Sequence, residues 1–186
     1  KIVFAGTLEG RKGFVELINA VKSLRKERYN ITLFLIGKHG RYSRRILRRQ
    51  KLSTKNGWLK ILGEVPRREI AKYYYSADIC CFPSWFETVG IVCLEAMACG
   101  SIVIGSTNSG MAEIIRDGID GFLVQPKNAF LLAAAIKKVI NLSSEEKAKI
   151  RKEAKRRILE NYDNSAIVPQ LLHFYKTVIE NLKLNT

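Results

Sequence analysis

A doubly wound α/β domain, with about six parallel strands and helices on both faces, is the fold this sequence predicts. Two observations carry that reading. Short runs that are apolar throughout, such as IVFA at 2–5 and ITLFLI at 31–36, recur along the chain, as strands buried on both faces require. Between them stand amphipathic stretches with helical spacing. Each Gly-rich loop also follows a strand, so these loops converge on the carboxyl edge of the sheet, where open α/β sheets bind ligands.

Taken in order, Lys1 to Gly6 is the first strand and Gly6 to Gly13 a loop. A helix follows with Phe14, Leu17, Ile18, Val21 and Leu24 on one face. Ile31 to Ile36 is the second strand, ending at Gly37-Lys38-His39-Gly40. A basic helix spans Tyr42 to about Leu52, and the third strand lies around Trp58 to Leu62. The turn Gly63-Glu64-Val65-Pro66 leads into Arg67 to Tyr75. Ile79 to Phe82 and Ile102 to Ile104 are the fourth and fifth strands, flanking a helix that opens near Gly90. Gly121 to Val124 is the sixth. Beyond Pro126 the chain turns helical over 128–142, 144–161 and 164–183, with Ser143 or Ser144 ahead of Glu145 and Glu146 as a helix start. One domain over 1–186 is expected, with a Rossmann-like core at 1–126 and a helical part at 127–186. The last helix lines up Ile167, Leu171, Phe174, Tyr175, Val178 and Leu182 in one stripe that needs a surface to cover it.

Composition narrows the function. With 47% apolar and 26% charged residues the chain is globular, and no apolar run approaches the ~20 residues of a membrane span. The four cysteines sit in apolar contexts without a C-x-x-C pair, which makes them buried thiols of a reducing cytoplasm. The two histidines, His39 and His173, lack companions, and no metal site is expected. A net charge of +15 invites phosphate-rich partners. A P-loop is excluded because G-x-x-x-x-G-K-[ST] is missing. The sequence also argues against a nicotinamide dehydrogenase: the first loop reads G-x3-G-x2-G, not G-x-G-x-x-G, and no acid ends the second strand.

The stretch FPSWFETVGIVCLEAMACGSIVIGSTNSGMAE, Phe82 to Glu113, holds the densest chemistry. A helix N-terminus at Gly90 offers unpaired N–H groups and the positive end of a dipole, which together can hold a phosphate. Gly90 has no Cβ to keep a ligand away. Glu87 precedes it, and Glu95 stands roughly 7.5 Å further along the helix axis. Two such acids could grip hydroxyls on either side of a diphosphate. A pair of acids alone is more often solvated, but Glu95 lies in VCLEAMA, where its neighbours want burial and an acid needs a partner.

The E-x7-E spacing after a Pro-Ser-aromatic turn, followed by EAMACG and G-x-x-E, resembles family four of the retaining glycosyltransferases. The likeness runs over the whole chain and matches the C-terminal half of their two-domain GT-B architecture. It implies a donor-binding domain that uses a nucleotide diphosphate sugar, UDP- or GDP-linked, as substrate, with no cofactor or metal. The chain opens inside a strand without Met, so it is expected to be a piece of a longer protein whose N-terminal acceptor domain is absent. The resemblance places Glu87 on a donor-sugar hydroxyl, Glu95 on the ribose, and the backbone of Gly90, Ile91 and Val92 on the phosphates. Lys12, followed by Gly13, matches the family's diphosphate lysine. The family's arginine position falls on Thr7, with Arg11 the candidate to compensate. Val65, between Gly63 and Pro66, would line the base; Ser109, Gly110 and Met111 would meet the sugar, with Glu113 either beside them or capping its own helix. A glycan or lipid-linked acceptor is implied, and a cytoplasmic location is expected, with the inner face of the membrane as an option that the basic cluster at 41–51 leaves open. A non-catalytic nucleotide-sugar-binding or scaffolding domain is the alternative. Arg41, Arg44, Arg45, Arg48, Arg49 and Lys51 form a basic cluster that puts Arg44, Arg45, Arg48 and Arg49 on one helical sector, expected as a solvated face, with contact to an anionic bilayer as the alternative. Nucleic-acid binding lacks interleaved aromatics, with only Tyr42 nearby.

Overall fold

The computed structural model describes residues 1–50 and 57–184. Six strands form one parallel sheet among them: β1 (Ile2–Ala5), β2 (Leu33–Ile36), β3 (Leu59–Gly63), β4 (Ile79–Cys81), β5 (Ile102–Ser106) and β6 (Phe122–Val124). Their order is β3-β2-β1-β4-β5-β6, so the winding reverses between β1 and β4. The helices are α1 (Phe14–Lys26), α2 (Arg41–Arg49), α3 (Arg67–Tyr75), α4 (Ile91–Ala98), α5 (Met111–Ile114), α6 (Ala129–Asn141), α7 (Ser144–Asn161) and α8 (Asn164–Leu184).

Side chains alternate across the pleat and feed two cores. Ile2, Phe4, Leu33, Leu35, Ile79, Ile102 and Ile104 pack with α1, α6 and Leu47 of α2 on one face. Val3, Ala5, Ile36, Cys80 and Val103 pack with α3, α4, α5 and α7 on the other. That division explains why the strands read as continuous apolar runs: both faces are covered.

The expected elements are present, with boundaries shifted by a few residues. The third strand begins at Leu59, after Trp58, and the fifth runs on to Ser106. α2 spans Arg41–Arg49; the expected end of that helix at Leu52, and Lys51 of the basic sector, lie outside the described residues. The apolar stripe of α8 is exposed, from Val178 at 39% to Leu182 at 64%. No helix among the described residues is long and apolar enough to cross a membrane.

Candidate active site

The cleft forms at the carboxyl edge of the sheet, where β1 and β4 part and the chain winds away in both directions. It holds about 240 Å³, lined among others by Ala5, Gly6, Lys12, Glu87, Gly90 and Val92. Two loops distant in sequence meet here. After β1 the chain makes one 3-10 turn, Gly10–Lys12, and Gly13 closes it in the left-handed region at φ 72°. A Cβ on Gly13 would run into the Pro83 carbonyl of the opposite loop, so the two loops touch because this residue is glycine. The contact is reinforced by the Trp85 backbone N–H, which donates to the Arg11 carbonyl at 2.7 Å, and by the Trp85 indole, which donates to Glu16 Oε1 at 3.0 Å.

That join brings Lys12 onto Glu87, as an ion pair between partly buried side chains 75 positions apart. Gly90, next along, adopts φ 81° and ψ 45° as the N-cap of α4. No side chain caps this helix and no acid stands in its first turn. Gly90 C=O accepts from Cys93 N–H at 2.8 Å, while helix geometry leaves the N–H groups of Ile91 and Val92 without an intrahelical acceptor. The cleft therefore joins a lysine, a carboxylate and the positive end of a helix in one place, which suits an anion flanked by hydroxyls.

The other expected residues lie around this centre. Glu95 sits further along α4, with its Oε1 3.1 Å from Arg67 Nη2 at the start of α3. Arg67 is 85% exposed, so that pair is free to exchange for a ligand at little cost. Ser109 Oγ donates to the Ser106 carbonyl at 2.9 Å, and Gly110 N–H donates to the Glu87 carbonyl at 2.8 Å. The sugar-side loop is thereby tied to the Glu87 loop, again through a glycine whose Cβ would strike the Thr88 carbonyl. Val65 is half-buried against the second core, and Gly63 stands at φ 69° with open space where a Cβ would be. Glu113 and His39 are exposed.

Arg11 is not brought into the cleft. Its Nε pairs with Glu9 Oε2 at 3.0 Å and both side chains are more than half exposed, because the 3-10 turn directs neighbouring side chains apart. At the family's arginine position, Thr7 is half-buried, and its Oγ1 has no hydrogen-bond partner among the described residues.

Sequence reasoning missed three residues. Arg67 is 28 positions from Glu95 and carries no local sign of the contact. In the sequence Trp85 is the aromatic of a turn; in the fold it pins the Glu87 loop to Arg11 and to Glu16 of α1. Tyr74 is fully buried, edge-on to Phe82, and its hydroxyl has no hydrogen-bond partner among the described residues. Burial, and then the charge of Glu95, pushes its phenol well above the ordinary value, so it stays protonated beside that carboxylate. The buried thiols are likewise inert: burial raises Cys80 to about 12, and Cys81 and Cys93 are also raised. No group of three or more His, Cys, Asp or Glu is placed to hold a metal among the described residues.

The fold and cleft define one half of a GT-B glycosyltransferase, and comparison with known proteins gives the family. The model of the glycosyl transferases group 1 family matches residues 1–157, and the chain belongs to that family. It is 32% identical over 179 residues to an uncharacterized glycosyltransferase of Methanocaldococcus jannaschii, covering 96% of this chain and 45% of the relative. It is 30% identical over 135 residues to O-antigen chain mannosyltransferase B of Escherichia coli, covering 72% and 35%. The chain thus spans less than half the length of these curated relatives. Among solved structures, sucrose-phosphate synthase of Thermosynechococcus elongatus superimposes with a TM-score of 0.84 at 26% identity, over 97% of this chain and 45% of that one. HepE of Anabaena in complex with UDP gives a TM-score of 0.83 at 23% identity, over 95% and 48%, a likeness of fold.

Proposed function

We propose that this chain is the donor-binding half of a retaining, metal-independent glycosyltransferase. It would take a hexosyl group from a UDP- or GDP-linked sugar and pass it to a glycan or lipid-linked acceptor in the cytoplasm. The observation that carries this is the meeting of Lys12 and Glu87 at the uncapped start of α4, on the edge where the sheet reverses. Family membership and the UDP and UDP-glucose complexes of structurally similar HepE support the same reading.

In this reading the diphosphate enters against the Ile91 and Val92 N–H groups and draws Lys12 away from Glu87. Glu87 is then free to accept from a sugar hydroxyl, and Glu95 exchanges Arg67 for the ribose. The bond between the anomeric carbon and the phosphate oxygen loosens, leaving its electron pair on the diphosphate. Lys12 and the α4 dipole stabilise that developing charge without reorganising. The acceptor hydroxyl attacks on the face the diphosphate leaves, and its proton passes to the departing phosphate oxygen. The acceptor binds across the cleft, on the part of the relatives' length that this chain does not span.

A second reading, a nucleotide-sugar-binding domain without transfer, is favoured by one observation: Thr7, with an unpartnered Oγ1, stands where the family carries its second diphosphate cation. Thermal unfolding with millimolar UDP, GDP, ADP and their sugars tests the binding shared by both readings. At a hundredfold excess over Kd, one nucleotide series should stabilise the chain by about 2.7 kcal/mol, and Glu95→Ala should abolish the shift. If no nucleotide shifts the wild type, the donor-site assignment fails. Transfer assayed in the longer protein then separates the two readings.

A further inference from the structure

We propose that the arginine face of α2 docks this domain on an anionic bilayer, an assignment that stands independently of the nucleotide reading. At 100° per residue, Arg41, Arg44, Arg45, Arg48 and Arg49 cover an arc of about 140°. The buried Ser43 and Leu47 anchor the opposite side of the helix. All five arginines are exposed, and none has a carboxylate partner among the described residues. The arc runs over roughly 12 Å of helix, and Lys38 and His39, both exposed, extend it at the N-terminal end.

The helix breaks two local rules to present this face. Its first turn has no acid, although the dipole favours negative charge there, and Arg41 stands at its first position. Like charges also recur at i, i+3 and i, i+4, which repel. A merely solvated basic helix in the same protein looks different. α7 intersperses four glutamates, and its Arg156 pairs with Glu153 at 2.7 Å and Glu160 at 2.9 Å. An uncompensated charge array of this kind marks a surface held for a polyanion.

The form of the array selects the bilayer. The arginines rim an open surface, suited to a plane of headgroups. The arc carries no exposed aromatic to stack a base and no Asn or Gln to read one. Tyr42 flanks it and is 49% exposed, but its ring stands edge-on to Phe14, with centroids 6.3 Å apart, and in α2 it is a lone aromatic beside five arginines. That contact with the first residue of α1, and the Leu8 N–H donating at 2.9 Å to the carbonyl of Lys38 in the loop ahead of α2, set α2 beside the loop that bears Lys12. A bilayer engaged by α2 would therefore lie beside the mouth of the cleft.

Co-sedimentation of the chain with phosphatidylcholine vesicles, with and without 30% phosphatidylserine (roughly the anionic content that gives a surface potential of tens of millivolts), tests the proposal. Binding is expected only to the anionic vesicles and should fall steeply with salt. Arg45→Gln with Arg48→Gln should weaken it roughly 30-fold, and Arg41→Gln with Arg49→Gln is a second pair on the same arc. Lys149→Gln with Lys152→Gln on α7 removes the same charge and should change binding less than about threefold if position decides the effect. Thermal unfolding checks that each variant is folded. Binding that ignores phosphatidylserine, an equal loss in the α7 pair, or a preference for a duplex oligonucleotide competitor over the vesicles would overturn it.

Discussion

The starts of α4 and α7 are built in opposite ways. α7 opens with Ser143, whose Oγ accepts from Glu146 N–H at 3.1 Å while Glu146 Oε2 accepts from Ser143 N–H at 2.7 Å. This reciprocal box satisfies two of the donors a helix start leaves orphaned, and two glutamates in the first turn complement the dipole. α4 opens with a left-handed glycine, no side-chain cap and no acid in its first turn. One helix start has been completed from within the chain, and the other has been left open to the cleft. α1 also opens on a left-handed glycine without a side-chain cap but carries Glu16 in its first turn, so what sets α4 apart is the missing acid together with Lys12 and Glu87 beside its open start.

The strongest way to break that contrast is to fill the open start. Gly90→Val puts a β-branched residue at φ 81°, with its Cβ 2.8 Å from Met111 Cγ. The backbone strain and the displaced methionine should together cost about 3 kcal/mol in urea unfolding. The nucleotide-induced thermal shift should vanish. If Gly90→Val keeps that shift in full, α4 does not seat the phosphates. The mirror experiment, Ser143→Ala, removes the completed cap and should cost about 1 kcal/mol, leaving nucleotide binding at the wild-type level. A loss of binding in Ser143→Ala would mean that the two ends of the molecule are coupled, which their separation into different helix starts does not suggest.

How legible each part was follows from how local its cause is. The strands were readable because a sheet covered on both faces leaves no polar position in runs such as IVFA and LFLI. Gly90 and Glu95 were readable because an acid inside VCLEAMA breaks the pattern of its own helix. Lys12 was readable through its neighbour Gly13 and the resemblance. What stayed hidden depends on elements meeting in space. Arg67 reaches Glu95 only because α3 packs on α4, and Trp85 reaches Glu16 only because β1 and β4 are neighbours in the sheet. Arg11 and Lys12 are adjacent in sequence, yet the 3-10 turn sends one to Glu9 and the other to Glu87. Adjacent side chains in a tight turn diverge, so proximity in sequence to Lys12 was no guide to the cleft.

The smallest expected effect sharpens the same contrast through pH. The Glu146 carboxyl is held below its ordinary value of 4.5, first by the Ser143 backbone N–H and then by the Ser143 side chain. A depressed folded pKa adds stability that is complete above the unfolded value and drains away as pH falls through the folded one. The contribution of this cap should therefore be constant above about pH 5 and shrink below about pH 4. Because Glu146 is fully solvent-exposed, the change should be a shallow bend in stability against pH. Glu146→Gln keeps an acceptor for the Ser143 N–H but cannot titrate, so its stability relative to wild type should rise as the solution is acidified. Gly90→Ala, at a helix start with no first-turn acid, should show no such trend over the same range. Parallel pH profiles for wild type and Glu146→Gln would mean that the box is not closed in solution.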